Sequence, residues 1–101
     1  MSTIKNNPDE VINTKELTTV ELINPIKRKE GEAIKEITIR RPKTGDLRNL
    51  KLLDVMQYDH AAIRILFSRI AQPTITDNEF DNLSIPEFAR VSEAISGFFT
   101  E

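Results

Sequence analysis

The stretch ITIRRPKTGDLRNLKLLDV, residues 37–55, decides how this chain folds. It begins with the alternation of a strand, Ile37 and Ile39 on one side, Thr38 and Arg40 on the other. It ends with Leu47, Leu50 and Leu53 at helical spacing. Between the two lies a basic run broken by Pro42 and Gly45. Pro42 has no N–H for a ladder bond, so the strand ends there. Gly45 permits a tight turn. Thr44 or Asp46 can cap the helix that follows, and Asp46 suits its positive end. The run from Pro42 to Asp46 therefore reads as a joint between a β half and a helical half. Arg40, Arg41 and Arg48 are then surface charges, available to a partner or solvated.

Upstream, LTTVELINPI over residues 17–26 is rich in β-branched residues and places Val20 and Leu22 on one face. Pro25 marks an edge or a bulge. A charged turn, KRKEGE, contains Gly31, which tolerates positive φ. AIKEITIRR is the second strand. A turn centred on Glu30 and Gly31 predicts Leu22 opposite Ile39 and Asn24 opposite Ile37. A two-stranded ribbon is marginal alone, so its apolar face must pack on helices or pair with another chain. Residues 1–16 are polar, with only Ile4, Val11 and Ile12 as anchors, and read as a flexible N-terminal arm. Residues 17–101 then form a single hairpin-plus-helices domain.

Downstream, Asp59 is an N-cap, and Ile63, Leu66, Phe67 and Ile70 form a core-facing stripe widened by Ala62 and Ile65. Pro73 stops this helix. Thr76–Glu79 and Ser84–Glu87 both have the spacing of a capping box, with Pro86 in the first turn of the second. The last helix carries Phe88, Val91, Ile95 and Phe98 on one side, and Gly97 can end it. The fold class is α+β: an N-terminal β-hairpin followed by three to four short α-helices.

The chain has 101 residues and no cysteine, which excludes disulfides and thiolate metal sites in this sequence. Thirty Ile, Leu, Val and Phe residues can build one thin core. No apolar run is long enough to span a membrane, and the N-terminal residues lack the apolar centre of a secretory signal. Net charge is −2, but it is unevenly placed. Residues 26–48 hold eight Lys/Arg against four Asp/Glu; residues 54–101 hold three against eight. Oppositely charged surfaces suit two contacts, or self-association into a homo-oligomer. The lone histidine, His60, reads as a residue at the start of a helix near the core edge. The acids of DNEFD, residues 77–81, lack the glycine and spacing of a calcium loop and are explained by capping. No catalytic, cofactor-binding or metal-ligating set emerges, so an enzyme is not expected. A nucleic-acid-binding regulator using the basic hairpin is the alternative reading, weakened because no aromatic side chain interleaves with the basic ones.

The order Thr38-Ile39-Arg40-Arg41-Pro42-Lys43-Thr44-Gly45-Asp46-Leu47-Arg48, after the Gly31 hairpin, resembles the tail assembly chaperones of contractile-tailed phages, the E-type, Mu/P2-like family. The ending is similar too: Ile85-Pro86-Glu87, then a helix closing on Ser96-Gly97-Phe98-Phe99. The resemblance runs from about Val20 to Phe99. It implies a non-catalytic protein of the host cytoplasm, absent from the mature virion, that binds the tape-measure protein and promotes tail-tube assembly. Its implied partners are the tape-measure protein, the tail-tube protein and a longer frameshift product of the same gene. Phe98-Phe99 is compatible with a run of T nucleotides as the slippery site. The family brings no catalytic residues. The residues chosen for partner contact are Phe88, Val91, Ile95, Phe98 and Phe99 as apolar anchors, with Arg40 and Arg41 as charges.

Overall fold

A computed structural model of the chain describes residues 16–99. The arm expected over residues 1–16 lies, except for Glu16, outside the described residues. Strand β1, Leu17–Ile26, pairs antiparallel with β2, Ile34–Arg40. A two-residue strand β3, Ala71–Gln72, pairs antiparallel with the other edge of β2, giving the order β1-β2-β3. Side chains alternate as the sequence predicts: Val20, Leu22, Ile37 and Ile39 are buried on one face, and Thr19, Glu21, Glu36 and Arg40 stand on the other. Gly31 sits in the connecting loop at φ 82°.

The hairpin register differs from the expected one. Ile37 lies opposite Val20 and Ile39 opposite Thr18, rather than opposite Asn24 and Leu22. The ladder is regular up to Glu21 opposite Glu36 and resumes at Ile26 opposite Ile34, so Leu22 to Pro25 stand against Lys35 alone. Pro25 therefore lies in a bulge on an edge strand, where its missing N–H costs no ladder bond. The displacement is an even number of residues, which leaves each side chain on its predicted face.

Beyond the hairpin, the expected helix through Leu47, Leu50 and Leu53 is not continuous. Thr44–Leu47 is one turn of 3-10 helix, and the chain then breaks at Asn49, φ 63°. Helix α1 is only Leu52–Met56, with Val55 as its buried residue. Asp46 does cap the turn, its carboxylate accepting the Lys43 N–H at 2.8 Å. Gly45 is not in the left-handed region; Asn49 makes the sharp reversal instead.

Helix α2, His60–Ile70, starts at Asp59, whose carboxylate accepts the Ala62 N–H at 3.0 Å. Ala62, Ile63, Leu66, Phe67 and Ile70 are buried along it, while Ile65 is 37% exposed and lies off the stripe. Helices α3, Asp77–Asp81, and α4, Ile85–Gly97, both start with the predicted capping boxes, Thr76 with Glu79 and Ser84 with Glu87. Helix α2 packs on β2 and α4 on β1. Ile37, Ile39, Ile63, Leu66, Phe67, Val91 and Ile95 meet in the layer between them. Phe98 is buried and Phe99 half-buried, because the backbone turns after Gly97 and lets both rings close on the core.

Candidate interaction surface

Three elements meet around the joint that the opening stretch predicts. Arg40, at the end of β2, forms a two-pronged ion pair with Asp46, both N···O distances being 2.8 Å. Hydrogen bonding to the Arg40 guanidinium, set against partial burial and helped by the Lys43 N–H, pulls the Asp46 carboxyl down to about 2. Arg69 of α2 donates to the carbonyls of Asp46 and Arg48, each at 2.7 Å. The joint is thus clamped to the helical layer from both sides.

Arg41 lies over the ring of Phe98, 5.2 Å from its centroid, and donates to the Phe98 carbonyl at 3.3 Å. Its Nε is 3.8 Å from the Glu16 carboxylate. Arg40 and Arg41 therefore fasten the strand ends to their surroundings. Val91 and Ile95 are fully buried and Phe98 nearly so; they reach another molecule only if α4 lifts from the sheet. Phe88 is half-buried, stacked on His60 at 5.5 Å and edge-on to Phe80 at 6.0 Å. The His60 ring also meets Phe80 edge-on, and its Nε2 lies 3.4 Å from Asp81, a carboxylate shared with Arg64.

Glu87 carries a role that the sequence pattern shows only in part. Its Oε1 accepts the Ser84 N–H at 2.8 Å, as a capping box requires. Its Oε2 accepts the N–H groups of Ile23 and Asn24, at 2.7 and 2.8 Å. One carboxylate, 1% exposed, thus closes both the start of α4 and the bulge of β1. Burial pushes this carboxyl up, but hydrogen bonds from Asn24, Ser84 and Ile23 outweigh it and hold the group below its ordinary value.

Among the described residues, the largest run of exposed apolar side chains lies on and just after α1. Leu52 is 46% exposed, Leu53 61%, Met56 56% and Tyr58 38%. Leu52 and Met56 are four apart and share a helix face, with Leu53 beside them. The segment is bounded by two residues of positive φ, Asn49 at 63° and Tyr58 at 61°. A left-handed Tyr costs on the order of 1 kcal/mol; here it closes α1, its N–H donating to the Val55 carbonyl at 3.0 Å and the Asp59 N–H to the Asp54 carbonyl at 2.9 Å. A signal for this surface was present in the sequence: adjacent Leu52 and Leu53 cannot both face one core from a helix. Among the described residues no group of three or more His, Cys, Asp or Glu is placed to hold a metal ion. No described helix is long and apolar enough to cross a membrane.

The chain belongs to the family of phage tail assembly chaperone proteins, E, or 41 or 14, which it matches over residues 19–100. Its relatives include tail assembly protein E of Escherichia phage P2, 28% identical over 81 residues that make up 80% of this chain and 88% of the relative. Tail assembly protein E′ of the same phage is 29% identical over 79 residues, 78% of this chain but 55% of that longer relative. No solved structure matches the chain.

Proposed function

We propose that this phage tail assembly chaperone binds the tape-measure protein and promotes assembly of tail-tube subunits around it. It acts without catalysis, in the host cytoplasm, and leaves before the virion is complete. The observation that carries this reading is the exposed apolar surface of Leu52, Leu53 and Met56 in a family whose role is tail assembly. Such side chains, methionine among them, adapt to the apolar stripe of an amphipathic helix and withdraw it from water. Tube subunits then displace the chaperone by burying the same stripe permanently. Of the anchors chosen from sequence, Phe88 and Phe99 are part-exposed. The tail-tube protein and a longer frameshift product are further proposed partners. The longer one is supported by the P2 pair, in which one domain occurs in a short and a long protein. On the alternative reading, nucleic acid would have to compete with internal partners for the arginines of the hairpin: Arg28 pairs with Glu79 and Arg40 with Asp46.

Affinity capture with the tagged chain, co-expressed with the tape-measure protein of the same genome, tests the reading. Recovery of that protein by the wild type, and its loss with Leu53→Glu/Met56→Glu, is expected. No recovery, with or without the longer product present, overturns it.

A further inference from the structure

We propose that the outer edge of β1 pairs with the same edge of a second copy of this chain, across a two-fold axis at Thr18. The hydrogen-bond phase of β1 follows from one bond. The Arg41 N–H donates to the Glu16 carbonyl at 2.8 Å, so Glu16, Thr18 and Val20 turn their backbone groups toward β2. Leu17, Thr19, Glu21 and Ile23 turn theirs outward. From Glu21 onward several of these outward groups are engaged. Arg90 donates to the Glu21 carbonyl at 3.1 Å, Glu87 takes the N–H of Ile23 and of Asn24, and the bulge bends the strand away. Sheet proteins blunt exposed edges in these ways. The protection stops at Glu21. The outward groups of Leu17 and Thr19 meet no partner among the described residues. Leu17 itself is 60% exposed.

Beside this edge an open cleft of about 480 Å³ runs between β1 and α4, lined by Thr19, Val20, Arg90, Glu93 and Ala94. A second β1 matches both the edge and the cleft. In an antiparallel pairing about Thr18, Leu17 of each copy exchanges two hydrogen bonds with Thr19 of the other, and the Glu21 carbonyl stays with Arg90. A register two residues further along would draw on that carbonyl. In the Thr18 register Glu16 falls opposite Val20 of the second copy, on the helix-facing side. Val20 shares the cleft with Arg90, so the Glu16 carboxylate, 74% exposed, arrives beside a guanidinium. Glu93 stands one turn further along α4, on the Thr19 side. The two Leu17 side chains become diagonal neighbours on the open face.

Sedimentation velocity on the full chain tests this. So short a pairing falls in the class of weak interfaces, under roughly 1,200 Å², so the concentration series extends to about 0.5 mM. The wild type is expected to dimerise reversibly. Thr19→Pro removes an outward N–H, and with it the exposed Thr19–Thr38 hydroxyl contact at 3.3 Å, but spares the β1–β2 backbone ladder, whereas Leu17→Lys keeps every backbone group and charges the edge. Each should weaken the dimer by about tenfold or more, and the second stands in if the first does not fold. Glu16→Arg and Arg90→Glu should each weaken it, and the pair together should restore it. A wild type that stays monomeric throughout overturns the proposal. So does a dimer that Thr19→Pro and Leu17→Lys leave intact, which would place the contact on another face such as α1.

Discussion

Replacing Glu87 by glutamine changes one atom type and tests the fastening between sheet and helix. In the native chain two carboxylate oxygens accept three backbone N–H groups, from Ile23, Asn24 and Ser84. Glutamine supplies one acceptor oxygen. If that oxygen keeps Ile23 and Asn24, the amide nitrogen faces the Ser84 N–H, donor against donor, in a site where the side chain is 1% exposed. Losing the charge and leaving one donor unmet costs about 2 kcal/mol. For a domain of this size each kcal/mol moves the midpoint by roughly 4–8 °C, so Tm should fall by about 8–16 °C. The pH dependence supplies a second readout. Because the folded carboxyl is held below its unfolded value, the unfolded chain binds the proton more readily. The stabilisation is therefore complete above the unfolded pKa and is lost as pH falls through the folded one. Thermal melts followed by circular dichroism from neutral pH into the acid range should show a shallower acid limb in Glu87→Gln. A melting point within about 2 °C of wild type would refute the idea that this carboxylate holds the bulge, since such a shift is worth well under 1 kcal/mol.

The remaining expectations are these. Asp46→Asn should cost about 1 kcal/mol in urea denaturation, because the pair with Arg40 is partly solvated. With its folded pKa near 2, the native Asp46 stabilises above about pH 4 and loses that effect as pH drops toward 2, so the variant should flatten that interval. Ile37→Ala, at a site with no exposure, should cost about 2–5 kcal/mol by leaving a cavity between sheet and helices, read by the same denaturation. Thr76→Ala should cost about 1 kcal/mol by removing the acceptor for the Glu79 N–H, with α3 the first element to lose amide-exchange protection.

Local features were legible in the sequence because their causes are local. Ser84 and Glu87 are three residues apart, and so are Thr76 and Glu79; the hydrogen bonds that start α4 and α3 form within that spacing. The α2 stripe of Ile63, Leu66, Phe67 and Ile70 is likewise a matter of period, and it is buried as read. The hairpin register was not legible, since the bulge is held by a carboxylate more than sixty residues away in the chain. The spacing of Leu47, Leu50 and Leu53 imitates a helix. The carbonyls of Asp46 and Arg48, which a helix would use internally, are instead taken by Arg69, and Asn49 reverses the chain. That substitution of partners is what leaves Leu53 outside the core. The candidate surface was half-visible: two adjacent apolar residues cannot both face one core from a regular helix, which holds for Phe98 and Phe99 as it does for Leu52 and Leu53. In the structure the Phe pair turns inward and the Leu pair remains exposed.

The central claim is that α1 shields apolar helix on the tape-measure protein. The solubility of the tape-measure protein, co-expressed with wild-type chain or with Leu53→Glu/Met56→Glu, measures this directly. Exposed substitutions of this kind should change the chaperone's own stability by no more than about 0.5 kcal/mol, so both forms should accumulate as folded protein. The account predicts soluble tape-measure protein with the wild type and an aggregated one with the variant. Equal solubility in the two cells, or none in either, would contradict it.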